Sequence, residues 1–148
     1  MVEDSRRSNQ VSSDRPEALG VLTFDEIVVG SEFELDAQGI QPDQVTRYLR
    51  ACGHDEADLY GDAVPPLMLA MVCYLKGALP KPWPAGGLHA RERIVIHEAL
   101  KVGQPFTVRA HVKEKRTGRR HRFVVFDIEV RYQDVTSLQI ERTMTWTA

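Results

Sequence analysis

The segment PPLMLAMVCYLKGALP, residues 65–80, constrains the fold more than any other stretch of the chain. A proline opens it and a proline closes it, and Lys76 is its only charge. A proline is tolerated in the first turn of a helix and stops one at the other end. The segment predicts a helix that is apolar nearly all round. Such a helix cannot lie on a wet surface; it is enclosed in a domain or at an interface. It is too short for a bilayer, which needs about 20 apolar residues. The remainder of the chain must therefore supply a wall with one dry face.

Four segments with a period of two supply it. In GLHARERIVIHEAL, Leu88, Ala90, Ile94 and Ile96 fall on one face, with His89, Arg91, Arg93 and His97 on the other. In PFTVRAHVKEK, Phe106, Val108, Ala110 and Val112 alternate with Thr107, Arg109, His111 and Lys113. In RFVVFDIEVRY, Val124, Phe126, Ile128, Val130 and Tyr132 alternate with Val125, Asp127, Glu129 and Arg131. In SLQIERTMTW, Leu138, Ile140, Met144 and Trp146 share a face, with Arg142 as the exception. This pattern predicts an antiparallel sheet with one wet face, running as a four-strand meander. RTGRR and YQDVTS read as its hairpin turns. A further short strand is expected over Ser31–Asp36. Between it and the apolar segment, Val45, Tyr48, Leu49 and Cys52 mark one face of a short helix, with Pro42 in its first turn and Gly53 at its C-terminal end. A curled sheet wrapped around one long apolar helix accounts for this order. The fold class is α+β, the hot-dog arrangement.

Length and charge narrow the rest. The chain has 148 residues, the size of one domain. Residues 1–18 carry no apolar period and read as a disordered tail, leaving 19–148 as the domain. Nineteen basic against 21 acidic residues give a net charge of −2, which argues against nucleic acid as a partner. Cys52 and Cys73 lie in no metal-ligand spacing, so no metal site is expected. With no apolar signal segment and no membrane span, the reading is a cytoplasmic protein. Lys115–Arg122 is a basic turn, either a solvated hairpin tip or a docking patch for coenzyme A phosphates or an acidic carrier protein. Arg142, on an apolar face, calls for a partner, since a lone buried charge is costly.

The segments IQPDQVTRYLRACG, GHDEADLYGD, VPPLMLA and LHARERIVIHEALKVGQPFTV together resemble the MaoC-like hot-dog domains, over about Phe24 to Trp146. They are most similar to the N-terminal-type half of (3R)-hydroxyacyl-thioester dehydratases. The resemblance implies a hydratase or dehydratase acting on an acyl chain held as a thioester of coenzyme A or acyl carrier protein, with no other cofactor. Hydration needs one group to activate water and one to move a proton. The family supplies these from a loop of the form G-D-x-N-P-(L/I)-H ahead of the buried helix, whose N-terminus faces the thioester carbonyl.

On that pattern Gly53 matches the glycine, His54 reads as an insertion and Asp55 takes the aspartate position. Ala57 and Asp58 replace Asn and Pro, and Tyr60 stands where the histidine belongs. Pro65, Pro66 and Leu67 replace the glycine of the helix start. A proline offers no N–H; Leu67 and Met68 still offer theirs. Tyrosine, with an ordinary pKa near 10, donates a proton but is a poor base at neutral pH. Asp55 is thus the candidate catalytic acid, or else a carboxylate that solvates a turn. His54 is either an exposed loop histidine or a substitute base. Tyr60, Pro66, Leu67, Met68 and His89 are the candidate substrate-binding residues; Tyr60 reads equally as packing at the core's mouth and His89 as a half-exposed strand histidine. The resemblance implies a dimer, with a second copy or a second MaoC-like chain, in which this chain is the substrate-binding, catalytically reduced half. The alternatives are a non-enzymatic acyl-thioester binding module and a hot-dog thioesterase using Asp55 or Glu56.

Overall fold

The computed structural model describes residues 23–54, 59–75 and 87–147. The expected tail and the loop residues Asp55, Glu56, Ala57 and Asp58 lie outside the described residues. The elements are β1 (Glu32–Ala37), α1 (Pro42–Ala51), α2 (Pro66–Leu75), β2 (Leu88–Ile96), β3 (Phe106–Thr117), β4 (His121–Tyr132) and β5 (Val135–Thr147). The five strands form one antiparallel sheet in the order β1-β3-β4-β5-β2.

Local chemistry sets the ends of α1. Pro42 pre-sets the first turn, and the Gln44 side chain reaches back to accept the Gln41 N–H at 2.8 Å. At the other end Gly53 takes a φ of +81°, open to glycine without penalty. The turn then closes as a Schellman motif: His54 N–H donates to the Leu49 carbonyl at 2.9 Å and Gly53 N–H to that of Arg50 at 3.0 Å. Val45 and Leu49 are buried on the inner side of α1.

Helix α2 lies against the dry face of the sheet. Met68, Leu69, Ala70 and Cys73 are buried with Val108, Val112, Val130, Leu138, Ile140 and Met144. Each fully buried side chain of this size contributes roughly 1.5–3 kcal/mol. The enclosure is not complete, however. Leu67 and Met71, one turn apart on α2, are 61% and 54% exposed. Ile96, at the end of β2, is also exposed, at 57%.

Two expectations are corrected. The meander has three strands, β3-β4-β5, and β2 crosses to the far side of β5. Residues 97–105 make this crossing possible and are strapped to the lead-in of α2. Val64 N–H donates to the Leu100 carbonyl and Val102 N–H to the Asp62 carbonyl, both at 2.8 Å. The second correction concerns β2. Its register slips between His89 and Arg91, so His89 faces Met144 and Glu92 faces Arg142. Met144 and Arg142 are two residues apart on β5, so His89 joins Glu92 and Ile94 on the inner face. Strict alternation would have put His89 with His97 on the outer face. His97 does lie outside, 2.8 Å from the Gln139 side chain.

Candidate functional site

The loop that follows α1 and the start of α2 meet at one end of the sheet. A cavity of about 120 Å³ opens there, walled by Tyr60, Val64, Pro66, Leu69, Ile96 and Leu138. Its lining is almost entirely carbon. Tyr60 stands at its edge, 42% exposed. The strap between 62–64 and 100–102 fixes the height of the α2 N-terminus over this cavity, and a Lys101–Asp62 ion pair at 3.0 Å reinforces it at the surface.

The first turn of α2 leaves amides over. Leu69 N–H donates to the Pro65 carbonyl at 3.0 Å and begins the helical ladder. Pro66 has no N–H to offer. The Leu67 and Met68 amides precede the ladder and carry the positive end of the helix dipole. The Met68 side chain is buried in the core, whereas that of Leu67 faces outward. Pro66 lines the cavity itself.

Next to Tyr60 is a second phenol. Tyr48 is pushed above the usual tyrosine range by burial, by a hydrogen bond with the Cys52 thiol and by the neighbouring Cys52 and Tyr60 groups. At neutral pH it is a hydroxyl, able to donate and accept but not to act as a base. His54 is exposed, immediately beyond the helix end. Asp55, the candidate acid, lies outside the described residues. Among the described residues the site is therefore a carbon-lined cavity with the Tyr60 phenol at its rim and unpaired amides at the helix start.

His89 is not part of this assembly. Ile96, in the cavity wall, pairs with Leu138, whereas His89 pairs with Met144. Six strand residues separate the two places, about 20 Å. His89 instead approaches Glu92, with its Nε2 3.7 Å from a carboxylate oxygen. Glu92 in turn holds Arg142. Arg142 Nε donates to a Glu92 oxygen at 2.8 Å, Nη2 donates to the same oxygen, and Nη2 also reaches the Ala70 carbonyl of α2 at 3.4 Å. The charge that broke the apolar pattern of β5 thus has its partner on the neighbouring strand. Cys73 lies in the same layer; burial pushes its thiol up to about 12, while nearby Arg142 pulls the other way. It is an inert thiol at neutral pH. Cys52 is exposed, and both cysteines are free.

The outer face of the sheet carries a larger hollow of about 320 Å³. Charged side chains line it, and several neutralise one another. Lys113 Nζ lies 2.5 Å from Glu141 and 3.6 Å from Asp127, and Arg109 pairs with Glu34 at 2.8 Å. That leaves the apolar cavity as the better candidate for an acyl group.

The site residues separate by how far they can be read from the sequence. Tyr60, Pro66 and Met68 sit in one stretch, and the structure keeps them around the α2 start. Tyr48 shows in the sequence only as part of an apolar helix face. Its place beside Tyr60 depends on how α1 packs. The Arg142–Glu92–His89 group depends on the slip at Ala90, for which the only signal was a charge out of phase.

No family model and no curated protein matches the sequence. Solved structures do. The monoamine oxidase regulatory protein of Archaeoglobus superposes with a TM-score of 0.71 at 11% identity, covering 88% of this chain and 97% of that one. The MaoC-like dehydratase of Rhodospirillum rubrum gives 0.65 at 11% identity, with coverages of 85% and 97%. The HadBC (3R-hydroxyacyl-ACP dehydratase) complex of Mycobacterium tuberculosis gives 0.64 at 14% identity, with coverages of 80% and 97%. The chain has the hot-dog fold that MaoC-like dehydratases and hydratases have.

Proposed function

We propose that this chain is the substrate-holding, catalytically reduced half of a MaoC-like hydratase or dehydratase assembly acting on acyl thioesters. The observation that carries the reading is Tyr60. By its spacing from Asp55 in the sequence it corresponds to the family's histidine, and it lines an apolar cavity beneath the start of α2. In hydration, water adds across the C2–C3 double bond of an enoyl thioester. A base takes a proton from water as oxygen bonds to C3, and a proton is delivered to C2. Tyrosine can supply or orient a proton but does not take one from water at neutral pH.

Each remaining part has a role in holding the substrate. The carbon wall receives the acyl chain. The Leu67 and Met68 amides donate to the thioester carbonyl as negative charge builds on it. Tyr60 orients that carbonyl end. Asp55 is assigned to orient water or substrate, and His54 remains the one loop histidine able to assist it. The base comes from a partner half, docked along β2 and the exposed Leu67 and Met71. The likeness to the HadBC complex supports a paired arrangement.

Hydration of crotonyl-coenzyme A tests this. The purified chain alone is expected to give negligible product, and addition of a MaoC-like chain with an intact Asp/His loop is expected to restore it. Robust turnover by the chain alone, abolished by Asp55→Asn, would overturn the reading. Release of free thiol instead of hydration would identify a thioesterase. Ligand-induced stabilisation without turnover, whatever the partner, would identify a binding module.

A further inference from the structure

The apolar cavity is a cup whose walls are stitched to one another. Stretches 60–69, 96–100 and 137–138 build it. The first two are joined by the Val64 N–H, which donates to the Leu100 carbonyl at 2.8 Å, and by an antiparallel bridge between Ala63 and Lys101. The second and third are joined at Ser137. Its carbonyl accepts the His97 N–H at 2.9 Å and the Glu98 N–H at 3.3 Å, and its hydroxyl donates to the Glu98 carbonyl at 2.7 Å. Ser137 lines the cup, yet its polar atoms are engaged within the wall. Carbon is left to face the inside, and the hydrogen bonds between walls fix the width.

The cup has an open end and a closed end. Tyr60 and Ile96 are exposed and stand at the mouth. Leu69, Leu100 and Leu138 are fully buried and close the other end. All three belong to the hydrophobic core that joins α2 to the sheet. Core side chains are close-packed, so pushing them aside to admit more ligand costs contacts and strains rotamers.

A closed end and a fixed width turn volume into length. The cup holds about 120 Å³. An apolar cavity of about 150 Å³ takes one benzene ring, so the same packing gives this cup room for about four or five carbons. Resting on the acyl-thioester reading, with the thioester carbonyl at the Leu67 and Met68 amides, we infer that the chain selects short hydrocarbon acyl groups. The limit is about six carbons with the carbonyl counted. Leu69 and Leu138 set it: a longer tail meets them end-on and must either leave the cup or displace the core. A polar group at the far end of the tail is rejected as well. The carbon surfaces there offer it no partner, and an unpaired hydroxyl is costly to bury.

Calorimetric titration of the full chain with butyryl-, hexanoyl-, octanoyl- and decanoyl-coenzyme A tests the limit, because the series differs only in the acyl group. Affinity is expected to rise about three- to fourfold per methylene from butyryl to hexanoyl, and to level off or fall at octanoyl. 6-Hydroxyhexanoyl-coenzyme A is expected to bind roughly tenfold more weakly than hexanoyl-coenzyme A. Leu69→Ala shortens a side chain at the closed end and is expected to move the limit out to octanoyl. Ala63→Leu fills the cup from a partly exposed position outside the core and is expected to move the limit back to butyryl. The second variant decides where the first does not fold. Affinity that climbs steadily through decanoyl, or that ignores chain length altogether, overturns the proposal and leaves the acyl-thioester reading standing. So does a limit that Ala63→Leu does not move, or equal binding of the hydroxylated tail. Binding of none of these thioesters by the unaltered chain overturns the acyl-thioester reading itself.

Discussion

Removing the Glu92 carboxylate probes the Arg142–Glu92 ion pair on the dry face of the sheet. The Arg142 side chain is 5% exposed and that of Glu92 is 22% exposed. Arg142 donates to Glu92 through Nε at 2.8 Å and again through Nη2, with the Ala70 carbonyl 3.4 Å away. Glu92→Ala removes the two Glu92 hydrogen bonds from a guanidinium that stays buried near Cys73 and the α2 backbone. Breaking a fully buried pair costs about 3–5 kcal/mol; Glu92 is one-fifth open to water, so about 2–4 kcal/mol is expected here. Glu92→Gln keeps an oxygen for the guanidinium and is expected to cost about 1–2 kcal/mol. The paired change Glu92→Leu/Arg142→Met removes both charges and is expected to return within about 1 kcal/mol of the starting protein. Urea unfolding at one fixed protein concentration measures all three, since association would otherwise shift the midpoint. Glu92→Ala costing less than about 0.5 kcal/mol, or the paired change costing more than the single one, would refute the reasoning.

Three further outcomes follow from the geometry. The Cys73 thiol is raised from near 9 to about 12, so the folded state keeps a proton that the unfolded chain gives up. Its contribution is complete below about pH 9 and is lost as pH rises towards 12, by up to about 1.4 kcal/mol per pH unit; Cys73→Ala should flatten that alkaline fall in urea midpoints. A thiol reagent at pH 8 should label exposed Cys52 quickly and reach Cys73 only on unfolding, as intact-mass analysis would show. Gly39 has a φ of +100°, and a Cβ there would stand 2.7 Å from the Gln104 backbone oxygen and 2.8 Å from Gly103. Gly39→Ala should therefore cost about 2 kcal/mol or more in unfolding free energy, where Gly61→Ala, with open space around it, should cost about 1 kcal/mol.

The parts of the fold legible in the sequence are those set by neighbours along the chain. Pro42 and Gly53 bound α1 because each answers a backbone demand at a helix end. Much of β3, β4 and β5 alternates because water covers one face more than the other, but the register shifts after Val112 and Val130 and the buried runs Val124–Phe126 and Arg142–Met144 break the period. Ser31–Asp36 was one residue early at each end against Glu32–Ala37. What could not be read depends on contacts distant in sequence. The crossing of β2 to β5 is decided by the 97–105 segment binding the lead-in of α2, and nothing in its composition announces that partner. The slip at Ala90 turns His89 inward, a reversal that strict alternation excludes. The exposure of Leu67 and Met71 shows that the apolar helix is only partly enclosed by its own sheet, which a pattern of hydrophobic residues does not distinguish from full burial. At the site, Tyr60 stands in the same short stretch as the α2 start and lines the cavity, whereas Tyr48 near it was hidden in a helix face.

The proposed role is to hold an acyl thioester without transforming it. Titration of the purified chain with crotonyl-coenzyme A, followed by analysis of the recovered thioester, tests this most directly. Saturable binding and crotonyl-coenzyme A returned intact are expected. Absence of binding, or recovery of the 3-hydroxy product with its formation lost in Asp55→Asn, would contradict it.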